Sequence, residues 1–307
     1  MRIEPEDPRG TSGDYVKRVN RAIDHIVGHL EQPLSLEVVA RAACFSPFHF
    51  HRIFRSLMGE TLGHFVKRLR LERALSLLTY ESHRSLTDIA GACGFTSSSD
   101  FSRSFKQRYG VPPSDFDVES FRTQRREDWQ AVIAGEQSSH RFDRLPAGEN
   151  PDNFEVRLRR LPARDVAYIR VLDSFRPGSV ADAIGRLVVW AEARGLADGQ
   201  WLGYMWDDPE VVAHADCRYD VGLEVPGMKA EGEVGHIRFP GMLVAEVEVR
   251  GPIELELRAL DWLYRTWLPA SGYVPADQPS FEAWIGRPFA HGEEHFEILA
   301  QIPVEKS

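Results

Sequence analysis

Cysteine and long apolar runs are both scarce in this chain of 307 residues. The three cysteines, Cys44, Cys93 and Cys217, are widely spaced and odd in number. Their pattern excludes a disulfide framework and a zinc-binding spacing, so we expect a reduced, cytoplasmic protein in which each cysteine is a small buried residue. No apolar run approaches the roughly 18 residues that span a bilayer. The acidic, proline-rich start MRIEPEDPRG is unlike a signal peptide. We therefore expect no membrane partner.

Common catalytic motifs are also missing. The chain has no GxSxG, P-loop or zinc-protease motif. The segment HGEEH at 291–295 lacks the Glu that directly follows the first His of a zinc-protease helix. We therefore predict no metal site and no cofactor.

The charge is unevenly distributed along the chain. Residues 1–126 carry 19 Lys or Arg and 15 Asp or Glu, whereas the whole chain has 37 and 46 and a net charge of -9. The first part is therefore mildly basic and the remainder strongly acidic. This asymmetry indicates that only the first part meets a polyanion, although a solvated surface explains a small positive charge equally well.

The N-terminal part contains an internal repeat. SLEVVARAACF (Ser35–Phe45) matches SLTDIAGACGF (Ser85–Phe95) at an offset of fifty, and Phe50–Gly59 matches Phe101–Gly110 at fifty-one. A repeat of this length indicates one supersecondary unit built twice. Each copy opens on a serine that can cap a helix and reads as helix, tight turn, helix.

The second helix of each copy has two distinct sides. Phenylalanines at helical spacing predict a buried side in both copies. The opposite side is mostly polar and basic, and we predict that it enters the major groove of DNA, as in a helix-turn-helix. Core packing alone also explains the phenylalanines, and phosphate contact is the alternative to base contact for the arginines. The predicted DNA-binding residues are Phe48, His49, His51, Arg52, Arg55, Ser98, Ser99, Ser102, Arg103 and Lys106.

Between the copies, Thr61–Tyr80 contains no proline and carries an apolar stripe. This pattern predicts one continuous helix of about 30 Å. That length is close to one turn of B-DNA, about 34 Å, so the helix could hold two recognition helices in successive major grooves. A monomer would then suffice for DNA binding.

These residues resemble the AraC/XylS family of transcription regulators. The resemblance covers residues 14–117 and includes GFTSSSDFSRSFKQRYGVPPSDF (Gly94–Phe116) at the position of the family signature. The signature usually closes with Tyr-Arg, where this chain has Phe116-Asp117. The resemblance implies a DNA-binding domain whose base-facing residues are Phe48, His51, Arg52, Ser98, Ser99 and Arg103.

Residues 118–152 lose this pattern and are predicted to be a linker. A short amphipathic helix is expected through Trp129 and Ile133, and the stretch after it is rich in Gly, Pro, Ser and Asn. The second domain is predicted at 153–306.

A second repeat occupies this C-terminal part. DVAYIRV (Asp165–Val171) matches LVAEVEV (Leu243–Val249) at an offset of seventy-eight, and Arg218–Pro226 matches His295–Pro303 at seventy-seven. Each copy reads strand, strand, helix, strand, strand. Two such halves predict an antiparallel α+β domain with pseudo-two-fold symmetry. The predicted helices are Ser179–Arg194 and Pro252–Trp267.

Strand alternation suggests where a ligand would bind. Glu282 and Trp284 share one face of their strand, and the repeat places Tyr204 and Trp206 on the equivalent face. The pseudo-two-fold axis is then expected to bring Glu282 near Tyr204 among the two Trp. On the earlier strand pair, Tyr168 corresponds to Glu246 and is also predicted to bind the ligand. A carboxylate among aromatic rings favours a flat, apolar cation. A surface Glu beside core tryptophans explains the same pattern equally well.

This half resembles the GyrI-like effector-binding domains over residues 154–304, through GYMWDDPE, CRYDVGLEVP, GMLVAEVEVRG and FEAWIGRP. The resemblance implies that Glu282 takes the place of the acid used by members that bind cationic drugs. The predicted fold is an all-α paired helix-turn-helix DNA-binding domain followed by an α+β GyrI-like domain. The second domain has two pseudo-symmetric ββαββ halves and an antiparallel sheet. This order of domains is the less common one among AraC relatives and resembles the architecture of the right-origin-binding members of the family.

The two resemblances imply a sequence-specific DNA-binding transcription regulator that senses a small hydrophobic, cationic or aromatic effector. Its expected partners are double-stranded promoter DNA and the effector, with RNA polymerase as a candidate. One alternative is a small-molecule hydrolase that uses Glu282 as general base and Tyr204 as hydrogen-bond donor. The other is a ligand-free protein-docking module.

Overall fold

The computed structural model of the chain describes residues 8–81, 83–134, 148–227, 230–290 and 295–306. The chain divides into two compact units at Arg122–Thr123, and the short segment Ala230–Gly235 is counted with the first. Within the described ranges, no helix combines the length and the apolar character needed to cross a membrane.

The first unit is helical, as predicted. Residues 36–58 and 86–109 form the two helix-turn-helix units, and a continuous helix of 19 residues connects them. Side-chain oxygens of Ser35, Ser46, Thr61, Ser85 and Ser97 accept the backbone N–H three residues ahead, which satisfies donors that each helix start leaves free. The helices are α1 (Pro8–Val27), α2 (Leu36–Ala42), α3 (Pro47–Met58), α4 (Leu62–Tyr80), α5 (Leu86–Ala92) and α6 (Ser98–Tyr109).

The connecting helix α4 is buried along its apolar stripe and also at polar residues. Phe65 is fully buried and packs edge-on against Phe54 of α3. Arg68 is also buried, and its guanidinium is 2.7 Å from Glu60 and 3.4 Å from Glu72. Because this buried charge has two carboxylate partners, α4 can pack against its neighbours on a polar side as well. The helix therefore serves as the core element of the unit.

The segment predicted as a linker begins with a helix, α7 (Val118–Ala134), which includes Trp129 and Ile133. From Thr123 onward α7 belongs to the second unit. There Arg126 is buried, donates to Asp261 at 2.7 Å and is ion-paired with Glu210. The polar stretch at 135–147 lies outside the described residues.

The second unit is built on an antiparallel sheet with the predicted order of elements in each half. The first half contains β1 (Arg157–Leu161), β2 (Arg164–Val171), α8 (Ser179–Glu192), β3 (Trp201–Met205) and β4 (Tyr219–Glu224). The second half contains β5 (Gly235–Phe239), β6 (Met242–Gly251), α9 (Ile253–Trp262), a π-helical turn (Leu263–Trp267), α10 (Leu268–Ser271), β7 (Tyr273–Pro275), β8 (Ser280–Trp284) and β9 (Phe296–Lys306).

The sheet order confirms the predicted pseudo-symmetry. Its strands follow the order β1-β6-β9-β8-β3-β4-β2-β5, and β7 pairs with β9. The counterparts in the two halves are β1 and β5, β2 and β6, β3 and β8, and β4 and β9. If each strand is replaced by its counterpart, the same order is read in reverse. The pseudo-two-fold axis therefore passes between β3 and β8, the strand pair that carries Tyr204 and Glu282.

Burial differs among the three cysteines. Cys93 and Cys217 are buried as expected, but Cys44 is exposed in the turn between α2 and α3, so the expectation is wrong for that residue. The turn holds Cys44 at a φ of 54°, and the guanidinium of Arg21 lies 3.3 Å from its sulfur.

Candidate functional site

Helix α3 presents a strongly exposed side beside a buried one. Phe50 and Phe54 are fully buried, which fixes the rotation of the helix. The exposed fraction of Phe48 is 68%, and the guanidinium of Arg52 lies 5.9 Å from the centre of its ring. An exposed aromatic ring can pack on a thymine methyl group, and a guanidinium beside it can reach a base edge. All five residues predicted on this helix are exposed, namely Phe48, His49, His51, Arg52 and Arg55.

Helix α6 has the same arrangement with a more polar surface. Phe101 and Phe105 are buried, whereas Ser99, Arg103 and Lys106 are exposed. The predicted Ser98 and Ser102 are half-buried. Each helix-turn-helix thus exposes most of its predicted residues on its second helix. Their contact with DNA stays a prediction.

The effector site predicted in the second unit contains Glu282 and Trp284, but its other members differ. Glu282 pairs with Gly203 across β3 and β8, so both point to the same face of the sheet. On that face the Tyr219 hydroxyl of β4 donates to Glu282 Oε2 at 2.9 Å. Trp284 hydrogen-bonds the same hydroxyl. Tyr219 therefore holds the position next to Glu282 that the sequence assigned to Tyr204.

A second carboxyl group reaches this site from α9. Glu256 is only 2% exposed and hydrogen-bonds Glu282. Burial raises the pKa of Glu282 to about 7, while hydrogen bonds with Tyr219 and Glu256 limit the rise. Burial and the neighbouring Glu282 raise the pKa of Glu256 well above its usual range. Burial also raises the pKa of Tyr219, which keeps its hydroxyl protonated as a donor.

Three predicted members lie on the opposite face, so their placement with Glu282 is wrong. Tyr204 pairs with Phe281, which is one residue away from Glu282 and points to the other side. There the Tyr204 ring stacks on Phe239 with centroids 4.3 Å apart. Trp206 donates to Asp220 at 2.7 Å. Tyr168, which pairs with Gly222, is buried on this same face.

Sequence reasoning missed Tyr219, Glu256 and Gly203. Tyr219 lies in the repeated segment Arg218–Pro226, and its alternation with Val221 could have marked it as a face-sharing residue. Nothing in the sequence indicates which way Glu256 faces on its helix. Within the described ranges, no group of three His, Cys, Asp or Glu side chains could hold a metal ion. Of the HGEEH segment, only His295 lies in those ranges.

Comparison with known families agrees with the division into two units. Residues 39–118 match a helix-turn-helix domain family, and residues 154–305 match the GyrI-like small molecule binding domain. The two matches follow each other in the predicted order.

Each of the following curated relatives matches one part of the chain. The regulatory protein SoxS of Salmonella typhimurium is 35% identical over 99 residues, which are 32% of this chain and 91% of SoxS. The DNA gyrase inhibitor of Edwardsiella piscicida is 34% identical over 161 residues, which are 50% of this chain and 100% of that protein. YbfP of Bacillus subtilis, described as an uncharacterized HTH-type transcriptional regulator, is 37% identical over 102 residues. That match covers 33% of this chain and only 34% of YbfP.

Proposed function

We propose a function for this chain on the following premise. The chain belongs to the AraC family of transcription regulators, and it carries a GyrI-like small-molecule-binding domain after its DNA-binding domain. The chain is a DNA-binding transcription regulator with a ligand-sensing domain. What we add as a proposal is the set of residues that contact DNA, the chemical class of the effector and action through RNA polymerase. The proposed chemical class of the effector rests on the burial of the Glu282 carboxyl group.

The DNA contacts are proposed for the exposed sides of α3 and α6. Arg52 and Arg103 occupy equivalent places on the two helices and are both exposed. An exposed arginine at such a place can bind O6 and N7 of guanine with two hydrogen bonds. The mildly basic character of the first part of the chain supports this placement.

Arg52→Ala and Arg103→Ala are each expected to lower affinity for operator DNA about tenfold, because one bidentate base contact is worth about 1–3 kcal/mol. The operator would be selected from random duplexes with the wild-type protein, and binding followed by fluorescence anisotropy over a range of salt concentrations. Arg186→Ala, which removes an exposed arginine on α8 of the second unit, serves as the matched control. Unchanged affinity and salt dependence in both variants would contradict the assignment.

The effector is proposed to be a flat organic cation. A buried carboxylate is costly unless a positive charge accompanies it. Glu282 is 7% exposed, and the interactions described for it come from Tyr219 and Glu256, neither of which is basic. The neighbouring Trp284 ring offers the aromatic surface on which a cation is stabilised.

The cation 1-methyl-4-phenylpyridinium is expected to bind the wild-type protein, and Glu282→Gln to abolish this binding. The affinity should rise about tenfold from about pH 6 to about pH 8, because Glu282 becomes ionised over that interval. Calorimetric titration measures both effects, with the nearly isosteric neutral 4-phenylpyridine as control at the higher pH. Equal binding of the neutral compound, or a pH-independent affinity, would contradict a cation site.

A separate experiment distinguishes the hydrolase alternative. That reaction was expected to use Tyr204 beside Glu282, and the register places Tyr204 on the other face of the sheet. Tyr219 supplies a donor at Glu282 instead. A regulator should return its ligand chemically unchanged, whereas a hydrolase would convert a reactive one, and mass spectrometry of the released ligand separates the two.

A further inference from the structure

Glu256 is the unassigned feature of the effector site. It lies on α9, is 2% exposed and hydrogen-bonds Glu282 of β8. Its Oε2 atom is buried without a hydrogen-bond partner among the described residues. Two carboxyl groups therefore meet inside the unit, although buried acidic groups are normally paired with cations.

Among the described residues, the strands around the pair place no positive charge on its face of the sheet. On the sheet face that carries Glu282, β9 contributes Ile298 and Ala300, and β6 contributes Val247 and Val249. These are the two strands against which α9 packs. On the neighbouring strands β3 and β4, the same face carries Gly203, Met205, Tyr219 and Val221. Among the described residues, Tyr219 is thus the one further titratable group on these strands that faces the pair.

Charged residues elsewhere on α9 interact with other groups, and Glu254 acts on Arg258. Asp261 binds Arg126 of α7 at 2.7 Å, and Arg258 binds Asp152 at 2.7 Å. Both of these ion pairs are formed with partners other than Glu256 and Glu282. Among the described residues, the protonation of the two carboxyl groups therefore depends on each other and on the Tyr219 hydroxyl.

We propose that Glu256 stays protonated and donates a hydrogen bond to Glu282, so that the site offers one negative charge and accepts an effector with a single positive charge. This inference rests on the proposed effector function of the same site. Two adjacent carboxyl groups in a buried site cannot both ionise, because neither burial nor the like charge is compensated. Tyr219 donates to Glu282, so the ionised form is favoured on Glu282 and the proton stays on Glu256.

The shared proton explains how the site can be stable when empty and charged when occupied. Below neutrality both groups are protonated and the site is neutral, since the pKa of Glu282 is raised to about 7. A bound monocation stabilises the ionised Glu282, so its binding releases a proton at low pH. A dication would require Glu256 to lose its proton as well, and burial opposes that step.

Infrared spectroscopy of the ligand-free full chain tests the protonation directly. Near about pH 8.5 ordinary carboxyl groups are ionised, but the wild-type protein is expected to retain the carbonyl band of a buried protonated carboxyl group. The band should disappear in Glu256→Gln and remain in Glu282→Gln. Absence of the band in the wild type, or its persistence in Glu256→Gln, would overturn the proposal. Because no ligand is used, this result is independent of whether cations bind.

Binding experiments then test the role of the donated hydrogen bond. Glu256→Gln keeps a donor, so the pH midpoint of 1-methyl-4-phenylpyridinium binding should stay near that of the wild type. Glu256→Leu removes the donor and should move the midpoint upward, with affinity regained at higher pH. A midpoint lowered in Glu256→Gln would show that Glu256 is ionised in the empty site and would overturn the proposal.

The charge limit is tested with a ligand of nearly the same shape. N,N′-dimethyl-4,4′-bipyridinium carries two positive charges on a similar pair of rings. We expect it to bind the wild-type protein at least tenfold more weakly than the monocation, whereas a site with two ionised carboxylates would favour it. Tighter binding of the dication would contradict the single-charge site. Binding of neither cation, with the infrared band present, would reject the effector class and leave the proton sharing intact.

Discussion

Gly203→Ala is expected to destabilise the second unit by about 3 kcal/mol and to abolish cation binding. A Cβ atom at this position would overlap the Tyr219 hydroxyl, lie 2.6 Å from Tyr219 Cζ and 3.1 Å from Glu282 Oε2. The Tyr219 ring would have to move, and its hydrogen bond to Glu282 would be lost. Glycine in a strand often marks such a close approach. Here it leaves the space in which Tyr219 crosses β3 to reach Glu282.

The measurement is chemical unfolding of the full chain together with hydrogen exchange of the β3 and β8 amides. Gly185→Ala is a suitable control, because a Cβ there meets nothing within 4 Å. Gly185 lies inside α8, so its replacement should stabilise the unit by about 0.5–1 kcal/mol. If Gly203→Ala unfolded like the wild type and still bound the cation, Tyr219 would not be the residue that positions Glu282.

The contrast between Tyr204 and Tyr219 shows what the repeat could and could not predict. Aligned at an offset of seventy-eight, Tyr204 and Glu282 occupy equivalent sequence positions. In the sheet, however, Tyr204 pairs directly with Phe281. A difference of one residue in strand register moves a side chain to the opposite face. Sequence similarity between the halves determines which segments correspond, but the packing of the central strands determines the register.

Local signals explain why the DNA-binding unit was easier to predict. Ser35 and Ser85 cap helices as expected, because a cap involves residues only three positions apart. The buried phenylalanines follow the helical period within single helices. Glu256 could not be placed in this way, since the rotation of α9 depends on its contacts with β6 and β9. The same holds for Arg126, whose partners Glu210 and Asp261 are distant in sequence.

Burial of two acidic groups lowers the folding stability, and the proposed ligand site explains why the groups are nevertheless present. A Glu whose folded pKa is raised binds its proton more tightly in the folded than in the unfolded state. Between the ordinary Glu value and about pH 7, the Glu282 contribution to folding stability therefore falls as the pH rises. A structural residue under this penalty would be replaced at little loss by an apolar one. Its presence, with Gly203 making room for Tyr219, is consistent with a site shaped for a ligand charge.

Gly94→Ala is expected to destabilise the first unit by about 3 kcal/mol and to abolish DNA binding at physiological temperature. Gly94 lies in the turn between α5 and α6 with a φ of 76°. A Cβ atom there would lie 2.5 Å from the carbonyl oxygen of Leu30 and 2.9 Å from Cα of Glu31. Both are backbone atoms that cannot turn aside, and the left-handed backbone adds its own strain. The loss should appear as earlier unfolding of the helices and as a failure to shift operator DNA.

Two further variants separate the close approach from the backbone strain. Gly110 has a φ of 87°, but a Cβ atom there would meet nothing within 4 Å. Gly110→Ala should therefore lower the free energy of unfolding by only about 1 kcal/mol. Cys44 occupies the turn equivalent to Gly94 in the other unit and is exposed at a φ of 54°. Cys44→Gly should therefore change stability by less than about 1 kcal/mol. If Gly94→Ala cost no more than Gly110→Ala, the contact with Leu30 and Glu31 would not constrain the turn. The strict need for glycine belongs to the second helix-turn-helix, because its turn packs against the backbone that precedes α2.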